Sequence, residues 1–349
     1  TTVLVDRFCS AAMDPEVGVE RILAFTFTDR AADQLRRRVR VELARRAGEA
    51  TGGELERLRG AEEKTERAWI STIHGFCRRL LAAHPAAAGI DPRFRVLDEA
   101  EADRLAQRAF DSALDDLIAS GDPEALELAA ANWRWRLMDM TRGAYDELRS
   151  QGRAKPVLPE PPRPDVPARI AELVKAAEVA RTACAETTAP KGKVNLELMA
   201  RAAELDPTAE VNLELLERLS SLKLDGGGKL FKGEECADYK RALDRARTAV
   251  AGVVMRDSYE QLRALVARFG ETFERLKDER SALDFEDLQL RAVALLQGNE
   301  RLRERYREQF RHLMVDEFQD TNALQLALVE ALRGPGTAGR RHRTGADGG

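Results

Sequence analysis

The chain has 349 residues, with 56 lysines and arginines against 60 aspartates and glutamates, a net charge of −4. That length suits about two domains, and the near balance of charge excludes nucleic-acid binding through global basicity, so any basic track has to be local. Four dispersed cysteines (Cys9, Cys77, Cys184, Cys236) without zinc-type spacing, no apolar run long enough to span a bilayer, and no signal peptide point to a cytoplasmic protein with reduced thiols.

In chain order, Leu4, Phe8, Ala11 and Ala12 give residues 1–13 one apolar helical face, and Asp14, Pro15 and Gly18 predict a loop. Residues 21–28, RILAFTFT, form a near-continuous apolar and β-branched run that reads as a buried strand. Thr28 or Asp29 can cap the next helix, whose apolar stripe is Ala32, Leu35, Val39 and Leu43 and whose end falls at Gly48, Gly52 and Gly53. A charged helix over 54–67 leads to a short strand at 68–72, and a helix over 75–84 stops before Pro85. Helix alternating with strand implies a parallel sheet covered on both faces.

Residues 94–97 read as a short extended piece, and from Asp98 the pattern changes. Helices are expected over 98–120, 123–151, 168–188, 194–205, 209–222 and 237–283, with no convincing strand. A proline-rich extended linker is expected at 155–167, and a glycine-rich loop carrying Lys229 and Lys232 at 224–235. Residues 284–296 and 302–309 return the chain to the sheet. The reading is an α/β domain made of 1–97 and 284–333, a helical insertion over 98–283, and a disordered Gly/Arg-rich tail at 334–349.

The stretch at 312–325, HLMVDEFQDTNALQ, carries the chemistry. Leu313, Met314 and Val315 predict a buried parallel strand that delivers Asp316 and Glu317 to the carboxyl edge of the sheet, where open α/β folds bind ligands. Neighbouring residues at a strand end diverge, so one carboxylate can hold Mg²⁺ beside substrate phosphates while the other orients or deprotonates a water. Leu324, Leu328 and Leu332 mark a helix after it.

VDEFQDTNALQ resembles the Walker B element of UvrD/Rep-type superfamily 1 DNA helicases. Two further stretches resemble the same family. TFTDRAADQLRRRV at 26–39 is similar to its motif Ia, and STIHGFCRRLLAAH at 71–84 to its motif Ib. The run DPRFRVLDEAEADRL at 91–105 leans toward the AddA/RecB-like helicase–nuclease branch, and DFEDLQLRAVALL at 284–296 is similar to the segment that leaves the helical 1B subdomain.

The resemblance implies a RecA-like P-loop NTPase core (domain 1A) with an all-helical 1B insertion, ATP and Mg²⁺ as cofactors, and 3′→5′ travel on single-stranded DNA in repair or recombination. Asp316 would hold the metal, Glu317 would activate the water, and Gln319 would sense the γ-phosphate. Thr26, Phe27, Thr28 and Arg30 would contact DNA, as would Thr72 and His74, with Arg78 or Arg79 nearby. Phe27 at a strand end can stack on a base, and the hydroxyls of Thr26 and Thr28 can meet a phosphate; Phe27 as a core residue, and His74 as a structural histidine, are the competing readings. Asp29 stands where the family often has Asn, which puts that one contact in doubt, whereas Arg30 keeps the usual cation.

The P-loop string GxxxxGK[ST] is absent. The opening TTVLVDR fits the end of that loop in the family, with Thr1 as its last residue, a nucleotide and Mg²⁺ ligand. The chain is therefore expected to be a motor-domain fragment, inactive alone. The full enzyme is expected to be an ATP-dependent helicase, with DNA and the other half of a helicase–nuclease as partners and no membrane association. The rival is a catalytically dead remnant that binds DNA or another protein; an intact P-loop upstream of Thr1 would favour the enzyme.

Overall fold

The structure, a computed structural model, describes residues 2–14, 17–226 and 228–333. Its centre is β1 (Ile22–Thr26), a strand buried along its whole length. Ile22 and Ala24 face one core and Leu23 and Phe25 the other, as the period of two along a strand requires. Both neighbours, β2 (Trp69–Thr72) and β5 (His312–Val315), run parallel to it, in the order β2-β1-β5.

One face of this sheet is covered by α1 (Thr2–Ala12), α2 (Asp29–Glu49) and α3 (Gly53–Lys64), through Phe8, Leu35, Val39, Leu43 and Leu58. The other packs on α4 (Ile73–Ala83), α14 (Phe285–Gly298), α15 (Glu300–Gln309) and α16 (Ala323–Leu332). Phe76 is the hub of that second core, edge to face with Phe25 at 5.4 Å, Trp69 at 5.9 Å and Phe310 at 6.1 Å. As expected, α4 stops before Pro85, which opens the short α5 (Pro85–Ala88) at a first position where its missing N–H is no loss.

Two strands of two residues each, β3 (Arg95–Val96) and β4 (Ala282–Leu283), pair in parallel as a second sheet. The expectation of no strand within 98–283 is thus corrected: two residues are too few to leave a periodicity. Between them run α6 (Glu99–Ala119), α7 (Pro123–Ala131), α8 (Arg134–Ser150), α9 (Val166–Ala183), α10 (Pro190–Ala203), α11 (Leu213–Ser221), α12 (Glu234–Val254) and α13 (Arg256–Asp278).

Two expected helices are each divided. Residues 123–151 break at Asn132, whose side-chain amide donates to the Leu128 carbonyl and closes α7. Residues 237–283 break at Met255 and end at Asp278. The chain forms two compact units: Thr1–Ser112, Arg142–Pro156 and Phe269–Gly349 in one, Ala113–Thr141 and Val157–Arg268 in the other. Three of the divisions fall inside α6, α8 and α13, and the fourth in the loop between α8 and α9. The second unit has its own core, in which α9, α10, α11 and α12 bring together Ile170, Leu173, Met199, Leu219, Tyr239 and Leu243. The tail expected to be disordered, 334–349, lies outside the described residues.

Candidate functional site

Because β2, β1 and β5 are parallel, their carboxyl ends share one edge. Thr26 is in register with Thr72, and Phe25 with Val315. The residues that follow each strand therefore meet. A cleft of about 240 Å³ is lined by Thr26 at the end of β1 and Phe27 after it, Ile73 and His74 after β2, and Asp316, Glu317, Thr321 and Gln325 after β5.

Phe27 is 72% exposed, which removes the reading of it as a core residue; Phe25, two positions back, fills that role. The threonines are more constrained than the sequence suggests. Thr26 is buried and its Oγ1 donates to the Thr28 carbonyl at 3.1 Å, so its proton is not available to a ligand. Thr28 is the N-cap of α2, its Oγ1 accepting from Ala31 N at 3.1 Å, which leaves its own O–H free to donate outward. Thr72 caps α4 by accepting from Gly75 N at 3.1 Å, and donates to Asp29 Oδ1 at 3.1 Å. Buried and engaged in both directions, Thr72 is a strut between β2, α4 and the start of α2. Gly75 serves that strut, since a Cβ there would stand 3.1 Å from Thr72 Oγ1. Asp29, where Asn was the expected residue, supplies the acceptor.

His74 is half-buried in the first turn of α4. Burial lowers its pKa, against the pull of Asp29. Arg30 is exposed, with no ion pair among the described residues. Arg79 lies on the Trp69 ring, 3.7 Å from its centroid, and so is occupied in packing.

Asp316 extends the ladder beyond β5, its N–H donating to the Phe25 carbonyl at 2.9 Å. Glu317 then adopts a left-handed backbone, φ 50° and ψ 45°, which for a non-glycine residue costs on the order of 1 kcal/mol. The turn sends the two carboxylates in different directions, Asp316 half-buried and Glu317 exposed. Gln319 is exposed and its amide donates to Glu317 Oε2. Among the described residues neither carboxylate has a basic partner. Two uncompensated carboxylates fit Mg²⁺, which takes one or two from the protein and completes its shell with water and substrate phosphates. Thr1, the remaining ligand expected for nucleotide and metal, lies outside the described residues.

A second acidic cluster escaped the sequence reading. Asp284 and Asp287 open α14 as a capping box, each accepting from the other's backbone N–H. Arg149 donates to Asp284 at 2.8 Å, and Lys277 to Asp284 at 2.9 Å and Asp287 at 2.6 Å. Tyr145 donates to Glu274, which also pairs with Lys277. Burial works against charge on Asp284, but Arg149 and Lys277 hold its pKa well below the usual carboxylate range. Burial and the neighbouring Asp284 push Asp287 up to about 6. The capping box is a local pattern, but the cluster is not, because Arg149 reaches it across 135 residues.

A parallel-sheet edge carrying paired acids, an exposed aromatic ring and helix N-termini is the kind of site found in nucleotide- and nucleic-acid-handling α/β proteins. The family model for the UvrD/REP helicase N-terminal domain matches residues 1–338, and the chain belongs to that family. It is 26% identical to an ATP-dependent helicase/nuclease subunit from Alkaliphilus oremlandii, over 95% of this chain and 31% of the relative. Proteins of the same name from Bacillus velezensis (27% identity, 95% of this chain and 31% of the relative) and Moorella thermoacetica (28%, 94% and 28%) are similar to it. The chain thus spans less than a third of the length of these relatives.

Proposed function

We propose that this chain is the first motor domain of an ATP-dependent DNA helicase acting in the cytoplasm in repair or recombination. In this reading the sheet is a RecA-like 1A core built from 1–97 and 284–333, and the helices of 98–283 are its 1B insertion. The observation that carries it is the convergence of three separate stretches, at Phe27, His74 and Asp316–Glu317, on one cleft at the carboxyl edge.

The roles follow from position. Asp316 would hold Mg²⁺, which when bound neutralises phosphate charge. Glu317, turned away from Asp316 by its left-handed backbone, would orient a water and take its proton. Gln319, hydrogen-bonded to Glu317, would report the γ-phosphate to that base. Phe27 would stack on an unpaired base, and the Thr28 hydroxyl, Arg30 and the N-terminus of α2 would meet the backbone phosphate beside it. The name of the relatives supports work as one component of a helicase–nuclease; movement 3′→5′ on single-stranded DNA rests on the resemblance of the three motifs.

Glu317→Gln tests this in a protein extended to the length of those relatives. It should keep ATP affinity while DNA-stimulated turnover falls by roughly 10²–10⁴-fold, the range for loss of a general base. Parallel loss of binding and turnover would make Glu317 structural instead.

A further inference from the structure

The His74 ring is gripped from α14. Phe285 meets it edge to face with centroids 5.3 Å apart, and the side-chain nitrogen of Gln289 lies 2.9 Å from His74 Nε2. Phe285 and Gln289 are four residues apart and so share one helical face. Gln289 is 1% exposed, and its Oε1 finds no hydrogen-bond partner among the described residues. Turned the other way, the amide would leave both hydrogens of a buried NH₂ group without an acceptor, instead of one hydrogen and the carbonyl oxygen, and orphaned buried N–H groups are rarer than under-satisfied carbonyls. The nitrogen therefore faces the imidazole. A ring nitrogen that accepts cannot carry the proton, which fixes the neutral ring as the Nδ1–H tautomer.

We propose that Gln289 is a positioning residue that locks this tautomer, so that His74 offers the cleft an N–H donor suited to a backbone phosphate oxygen of single-stranded DNA. The inference rests on reading the cleft as a DNA-binding edge. The acids nearby, Asp29 whose charge acts on the ring and Asp316 and Glu317 which line the same cleft, supply acceptors only. A histidine presenting a lone pair would add one more acceptor, where phosphate needs a donor.

The test uses the 349-residue chain labelled with ¹⁵N-histidine. It has four histidines, His74, His84, His312 and His342, so single substitutions assign each ring. The wild type should show the Nδ1–H signature at His74. Gln289→Glu keeps the size but, once ionised, can only accept, so Nε2 should carry a proton. Gln289→Leu removes the constraint without adding charge and should give a mixture. Affinity for a labelled oligo-dT should fall by roughly tenfold in the Glu variant, the scale of one hydrogen bond to a charged group, and by less in the Leu variant, with unchanged circular dichroism. A wild-type chain that binds no oligonucleotide overturns the reading of the cleft, and the role of Gln289 with it. A wild type that binds while all three proteins share one tautomer overturns the role of Gln289 alone and leaves the cleft standing.

Discussion

Two stretches of this chain share one plan: a short parallel strand, an aspartate directly after it, a second carboxylate close behind, then a helix. After β4 come Asp284 and Asp287; after β5 come Asp316 and Glu317. The first pair is sealed, with both carboxylates used in the capping box of α14 and both paired with Arg149 and Lys277. The second pair is open. Capping of α16 falls to Asn322 and Gln325, which releases Asp316 and Glu317 from that duty, and no described cation reaches them. An acid after a strand thus becomes structural or available according to what distant parts of the chain bring to it, and according to which residue caps the next helix.

The sharpest break of this comparison is removal of a cation from the sealed pair. Arg149 is 1% exposed, and Arg149→Leu leaves two buried carboxylates with a single lysine, so the chain should lose about 3–5 kcal/mol of stability. Asp316→Asn, at the open pair, breaks no ion pair and keeps the side chain's size, so it should stay within about 0.5 kcal/mol of wild type. Urea denaturation of both variants checks the contrast, and similar losses at the two sites would erase it.

A smaller effect lies in pH. The pKa of His74 is lowered in the folded protein, chiefly by burial, so the folded state resists a proton that the unfolded chain accepts near 6.5. The stability this group contributes is present above 6.5 and is lost as pH falls from there through the lower folded value. Thermal melts at pH 7 and pH 5.5 should therefore show a larger drop in Tm for wild type than for His74→Gln. An equal drop would mean that the ring titrates as it does in water.

Much of the sheet was legible because its signals are local. The run at 21–28 announced a strand buried on both faces, and the helix stripes of Leu35, Val39 and Leu43 announced what covers it. The acidic stretch could be placed at a carboxyl edge from its apolar lead-in alone. What stayed hidden depends on distance or on single dihedrals. Arg149 finds Asp284 across 135 residues. The β3–β4 ladder has two residues a side. The left-handed turn at Glu317 sits on a residue type that does not advertise it. The double engagement of Thr72 likewise needed Asp29 and Gly75 in place before a presumed DNA contact could be seen as a strut, and Gln289 gave no cue until α14 was seen packed on α4.

The central claim is that the carboxyl edge is kept open for a ligand and is not merely unfinished packing, and Phe27 tests it most directly. Affinity of Phe27→Ala for single-stranded DNA should be measured beside its melting temperature. A lost stacking contact predicts weakening worth about 1–3 kcal/mol, alike across sequences because every base offers a face, with Tm unchanged. A lower Tm with undiminished DNA affinity would contradict the account.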